Sequence, residues 1–216
     1  MKLVANRVIK GSILCQTGLH IGGSQDQIEI GGVDLLIIKH PLTLEPYIPG
    51  SSLKGKMRSQ LEKKLGRIRE KGEPCGCGNC PVCQVFGPHK NTRHNLGPTR
   101  ILVRDANLHA VSKELFQKTI EKGISFIEKK TENVINRKTG TAEHPRTQER
   151  VPAGTQFNLN IILQVFEGDN EADMKDKIRL ALKLVEESYL GGFGSRGSGQ
   201  VIFKDLTIDG QPFTLE

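Results

Sequence analysis

Gly191-Gly192-Phe193-Gly194-Ser195-Arg196-Gly197-Ser198-Gly199 packs five glycines into nine residues. Before it runs an amphipathic stretch with acids near Glu171 and with Ile178, Leu182 and Val185 at helical spacing. After it comes the strand-like Val201-Ile202-Phe203, within a run from Gln200 to Leu206. The stretch is therefore a helix-to-strand loop at the end of an α+β chain. Glycine lets the backbone take positive φ and lets another molecule approach the main chain. Successive exposed N–H groups form a concavity for anions, and Arg196 with two serines adds donors that suit phosphate. A glycine C-cap would account for Gly191-Gly192 alone. The embedded arginine points instead to a polyanion-binding loop that includes Gly194, Ser195, Arg196 and Gly197.

Composition agrees with an anionic partner. The 216 residues carry a formal charge of +7, with a pI near 9.2, while aromatics are 5% and tryptophan is absent. That argues for electrostatic recognition and against extensive base stacking. No apolar run approaches membrane-spanning length, and the start lacks a signal-peptide pattern. The chain is expected to be cytoplasmic, with no membrane partner, and its length fits one elaborated domain or two small ones.

Working back from the glycine loop, Phe157 to Val165 alternates as a strand, Arg100 to Ala106 reads as another, and Val4 to Leu14 opens the chain as a third. A helix begins after Tyr47-Ile48-Pro49-Gly50-Ser51-Ser52, with serine in the N-cap role. Leu53, Met57, Leu61, Leu65 and Ile68 form its apolar stripe. Its remaining positions hold eight basic residues between Lys54 and Lys71 against Glu62 and Glu70. Lys54, Lys56 and Arg58 crowd the helix start, where the macrodipole disfavours cations, which suggests that an anion binds there. The order strand, helix, strand, strand, helix, strand matches a ferredoxin-like (RRM-like) βαββαβ core. Three long insertions interrupt it, at residues 16–50, 70–98 and 112–154. The first holds glycine-rich loops and a short strand over Val33 to Ile38; the last has a turn at Asn136 to Gly140.

Four of the five cysteines lie in Cys75-Gly76-Cys77-Gly78-Asn79-Cys80-Pro81-Val82-Cys83. Thiolates this close can ligate one Zn²⁺, with His89 as a possible substitute for Cys75 or Cys77. Such a site would be structural and would hold the 70–98 insertion as a lid. Cys15 reads as a small buried hydrophobe. Asp34 follows Gly31-Gly32-Val33, where it either caps a turn or meets a phosphate that the glycines let approach.

Thr17-Gly18-Leu19-His20-Ile21-Gly22-Gly23, Gly32-Val33-Asp34 and Tyr47-Ile48-Pro49-Gly50-Ser51-Ser52-Leu53-Lys54-Gly55-Lys56-Met57-Arg58 together resemble the RAMP superfamily of CRISPR proteins. The cysteine cluster leading into Val85-Phe86-Gly87, the Glu149-Arg150-Val151-Pro152-Ala153-Gly154-Thr155 segment and the closing glycine loop narrow the likeness. Within the superfamily the chain is similar to the target-cutting backbone subunit of type III-A (Csm) effector complexes.

This resemblance implies a single RAMP domain over residues 1–216. Copies would stack as a filament on a CRISPR guide RNA beside other Csm subunits, with a thumb hairpin from 112–154 intruding into the guide–target duplex. Asp34 would cut target RNA with Mg²⁺ or another divalent ion. His20, Ser51, Ser52, Lys54, Lys56, Arg58 and the loop around Arg196 would contact the guide. Two other readings stay open: a guide-binding scaffold without cleavage, and a metal-independent endoribonuclease that processes CRISPR RNA. The latter wants a partner for His20 that the sequence does not supply.

Overall fold

Thirteen residues with alternating burial, Leu3–Cys15, form strand β1 at the centre of the main sheet. In the computed structural model, which describes residues 1–23 and 33–215, there follow helix α1 (Gly50–Lys64), helix α2 (Pro81–Phe86), strand β2 (Ile101–Val103) and helix α3 (Ala110–Glu121). Strands β3 (Glu128–Ile135), β4 (Ala142–Arg150) and β5 (Gln156–Phe166) lead to helix α4 (Glu171–Glu186) and strands β6 (Val201–Ile208) and β7 (Gln211–Pro212). The result is a mixed α/β fold with antiparallel sheets, one of five strands in the order β2-β5-β1-β6-β7 and one of two, β3-β4.

Alternation in β1 and β5 sends Ile9, Ile13, Phe157, Leu159, Ile161 and Leu163 into the core. Their register places Ile9 opposite Ile161 and Ile13 opposite Phe157. Leu53, Met57 and Leu61 of α1, with Met174, Ile178, Leu182 and Val185 of α4, complete it. Each such side chain contributes about 1.5–3 kcal/mol by leaving water. Cys15 is fully buried, and burial pushes its thiol up to about 12. No described helix is long and apolar enough to cross a membrane.

Several expectations need correction. The basic helix stops at Lys64, because Gly66 takes a φ of +62°, and Ile68 is 57% exposed. Arg67, Arg69 and Lys71 therefore lie beyond it. Pro49, not serine, is its N-cap, with no side-chain cap bond. Asp105 Oδ1 accepts instead from the Gly50 N–H at 2.7 Å, a cap supplied from 55 residues away. The strand expected over Val33 to Ile38 is an extended segment whose bridges go to different partners, Leu35 to Gln148 and Ile37 to Gly22. The strand around Arg100 to Ala106 shortens to β2. Helix α3 was not expected. Gly31 and Gly32 lie outside the described residues.

Candidate nucleic-acid interface and metal centre

The hairpin β3–β4 organises the surface around Asp34. Its turn closes at Asn136, whose carbonyl accepts from the Gly140 N–H at 2.9 Å and whose Oδ1 accepts from the Lys138 N–H at 2.9 Å. The free edge of β4 is covered by loop segments. Thr147 N–H donates to Asp34 Oδ2 at 2.9 Å, Glu149 N–H to the Leu35 carbonyl at 2.9 Å, and Val151 N–H to the Leu19 carbonyl at 2.8 Å. Asp34 is thus exposed to solvent yet fixed to the base of the hairpin. The buried Glu149 secures the same segment: its Oε2 accepts from Ile37 N–H at 3.2 Å and pairs with Lys39 Nζ at 2.9 Å.

His20 lies inside this junction at 5% exposure. Its Nδ1 is 2.8 Å from the Glu149 carbonyl, and its ring meets Phe193 edge-on with centroids 5.1 Å apart. The glycine loop closes over it: Gly192 N–H donates to the His20 carbonyl at 2.9 Å, and Gly191 lies so close to that carbonyl that a Cβ would overlap it. Gly194–Arg196 forms a 3-10 turn that leaves Ser195, Arg196 and Gly197 exposed. Arg196 Nη1 pairs with Glu132 Oε2 at 2.8 Å, and Lys130 Nζ pairs with Glu132 Oε1 at 2.9 Å. Lys130, and after it Arg196, holds the Glu132 carboxyl below its ordinary range. These residues with Val134, Arg137 and Arg146 line an open groove of about 810 Å³. Its four cations against one acid make it a surface for polyanions.

The start of α1 reaches the same region through Tyr189. Gly194 packs flat on the Tyr189 ring, where a Cβ would not fit, and Lys56 Nζ lies 3.4 Å from the ring centroid. Burial, and then Lys63, lowers the Lys56 ammonium to about 8. Burial, and then Arg58, also lowers Lys54. Ser51 and Ser52 occupy the first turn, Ser51 exposed. Arg58 is engaged inside the chain: its Nε donates to Glu62 at 2.8 Å and its Nη2 to the Cys75 carbonyl at 2.5 Å.

Helix α2 brings the cysteines together. Cys80 is its N-cap, with Sγ accepting from Cys83 N–H at 3.4 Å. All four Sγ atoms lie within 4.8 Å of one another. The Cys75–Cys80, Cys77–Cys83 and Cys75–Cys83 pairs are each 3.8 Å apart. Four thiolates about 2.3 Å from one zinc in a tetrahedron stand ~3.8 Å apart, so the donor set fits that ion. Burial, with Cys80 close by, pushes the Cys83 thiol up to about 12. Burial acts the same way on Cys77, but the Asn79 N–H and the other thiols bring it down to about 7. His89 meets the loop through its backbone N–H, which donates to the Cys75 carbonyl at 3.0 Å; its imidazole is not among the clustered ligand atoms.

The family model described as the RAMP superfamily matches residues 12–202. The chain belongs to the RAMP superfamily. Among its RAMP relatives is the CRISPR system Cms endoribonuclease Csm3 of Methanothermobacter thermautotrophicus, 45% identical over 98% of this chain and 89% of the relative. The protein of the same name from Streptococcus thermophilus is 41% identical over 90% and 85%. A crystal structure of a Csm3–Csm4 subcomplex in the type III-A CRISPR-Cas interference complex superposes with a TM-score of 0.61 at 29% identity, covering 96% of this chain and 80% of the other.

For this RAMP protein, residue reading missed the pair that holds the loops together. Glu149 faces the Asp34 segment, while Arg150 on the opposite face donates to Ser198 Oγ at 3.2 Å, pairs with Glu128 and packs where a Cβ of Gly18 would lie. The Glu149-Arg150-Val151-Pro152 motif carried that signal, since adjacent strand residues point to opposite faces.

Proposed function

We propose that this chain is a guide-RNA-binding backbone subunit of a type III-A CRISPR interference complex and that it cuts complementary target RNA at regular intervals. The observation that carries the reading is Asp34, an exposed carboxylate fixed by the Thr147 N–H at the root of a basic hairpin, in a chain whose relatives are named endoribonucleases. Residues 1–216 form one domain on a ferredoxin-like core, a reading supported by the strand order β2-β5-β1-β6. The 112–154 region is its thumb and 70–98 a lid held by Zn²⁺ on Cys75, Cys77, Cys80 and Cys83. Copies associate along the guide with other Csm subunits, in the cytoplasm.

Lys54, Lys56, Ser51, Ser52 and the Gly194–Gly197 turn contact the guide backbone. His20 and Arg58 act by shaping those contacts from beneath, since both are already engaged inside the chain. The same engagement of His20 leaves acid–base processing without a proton-transfer pair. Asp34 offers one hard oxygen ligand, which suits an Mg²⁺ or other divalent ion that takes its remaining ligands from phosphate and water. When bound, that ion would offset charge on the phosphate and the departing oxygen. The chain's own part is to hold the Asp34 carboxylate at the hairpin root through Thr147.

The test is to purify the chain with the complete set of Csm subunits and a guide array. Guide RNA is expected to copurify. Neutralising Lys54, Lys56 or Arg196 should weaken binding about equally for all sequences and make its salt dependence shallower, because phosphate contacts carry no base information. A change in sequence preference would contradict the backbone-contact assignment.

A further inference from the structure

Two of the four cysteines are placed by a helix and two are not. Cys80 caps α2 and Cys83 lies in its first turn, whereas Cys75 and Cys77 sit in irregular chain. Thiolates in such a loop need something else to fix them, or the entropy of ordering the loop falls on the metal. The outside support comes from α1. Glu62 is 6% exposed and carries a carboxylate on the helix face turned toward the loop. Its Oε1 accepts from Cys75 N–H at 2.8 Å and from Arg58 Nε at 2.8 Å, while Arg58 Nη2 donates to the Cys75 carbonyl at 2.5 Å. Both polar groups of the Cys75 residue are therefore gripped by an ion pair spaced i, i+4 on one helix.

We infer that Glu62 and Arg58 are positioning residues of the metal centre, and that they tie it to the helix whose N-terminal half carries Lys54 and Lys56. This rests on the reading of the cysteines as a zinc site. Neither residue is among the clustered ligands that would hold the ion; each acts through the Cys75 backbone. The carbonyl they hold also accepts from His89 N–H at 3.0 Å and faces the Cys83 thiol at 3.5 Å. Displacing it would therefore disturb a second ligand and the far side of the lid. A buried charged pair is a poor stabiliser beside apolar packing, so its presence calls for a positional role. Partners that orient metal ligands from outside the coordination sphere commonly change metal affinity by about 10- to 100-fold.

The experiment measures zinc affinity of the full-length chain by chelator competition, after elemental analysis of the wild type. Glu62→Ala is expected to bind zinc about 10- to 100-fold more weakly. Glu62→Gln, whose amide oxygen can still accept from Cys75 N–H, should recover most of the loss. Cobalt-substituted Glu62→Ala should show shifted thiolate-to-metal bands, which a general loss of stability would not produce. Ile178→Val, a small cavity in α4, should lower the melting temperature with zinc affinity unchanged. Should Glu62→Ala fail to fold, Arg58→Met carries the test, because it removes only the bond to the Cys75 carbonyl and the ion pair. A folded Glu62→Ala that holds zinc as tightly as the wild type, or a folded Arg58→Met that does so where Glu62→Ala does not fold, would overturn the inference. A wild type without stoichiometric zinc would instead overturn the reading of the cysteines beneath it.

Discussion

Lys56 is constrained twice, by partial burial and by the Tyr189 ring 3.4 Å from its Nζ. Its pKa falls from 10.5 to about 8, so the ammonium is complete below that value and is lost as pH rises through it. The unfolded chain binds this proton more tightly, and between about 8 and 10.5 raising the pH therefore favours folding. A phosphate contact responds in the opposite sense, since it needs the charge. RNA affinity at fixed ionic strength is expected to fall more between about pH 7 and pH 9 for the wild type than for Lys56→Arg, whose guanidinium stays charged. Fluorescence polarisation with a labelled guide reads the difference, and parallel curves would remove Lys56 from the phosphate contacts. At this scale the sequence named the cations Lys56 and Arg196 but not the partners that restrain them. Tyr189 beside Lys56 and Glu132 beside Arg196 are distant in the chain and are brought near only by the fold.

Among the elements, α4 and β5 were legible because one face of each is buried and the periodicity follows burial. Helix α3 was not, since Val111, Leu115 and Ile120 face outward and Phe116 alone of its large apolar side chains is buried. The strands of the hairpin carry charge on both faces and so lack an apolar alternation; only the Asn136–Gly140 turn announced them. Val33 to Ile38 read as a strand from its apolar run, yet its bridges are split between β4 and the loop at Gly22. The cysteine cluster was legible through its spacing, because ligand chemistry dictates distance. Cys80→Ser together with Cys83→Ser is expected to abolish zinc content and expose residues 70–98 to protease, while part of the RNA affinity survives. Elemental analysis and mapped proteolysis check this. Unchanged cleavage of that segment on loss of metal would show that the lid is held by other contacts.

Over the whole molecule, a five-stranded sheet with α1 and α4 supplies the core, and the candidate surface is assembled from loops that meet at the edge of β4. Cations at that surface include Lys54 and Lys56 of α1 and Lys130, Arg137, Arg146 and Arg196 of the hairpin groove. The exposed carboxylate of Asp34 lies at the root of the basic hairpin in this surface. The most direct measurement assembles the complete complex with either wild-type or Asp34→Ala chain and resolves labelled target RNA on a gel. Asp34 lends its carboxylate to one N–H at the surface and supports no core packing, so the variant should fold, keep zinc and bind guide and target as before. Its cleavage bands should vanish at every interval, because each stacked copy supplies the same site. Removing divalent ions from the wild-type complex with EDTA should silence the same bands. Equal ladders from the two complexes would contradict the account and leave the chain a guide-binding scaffold.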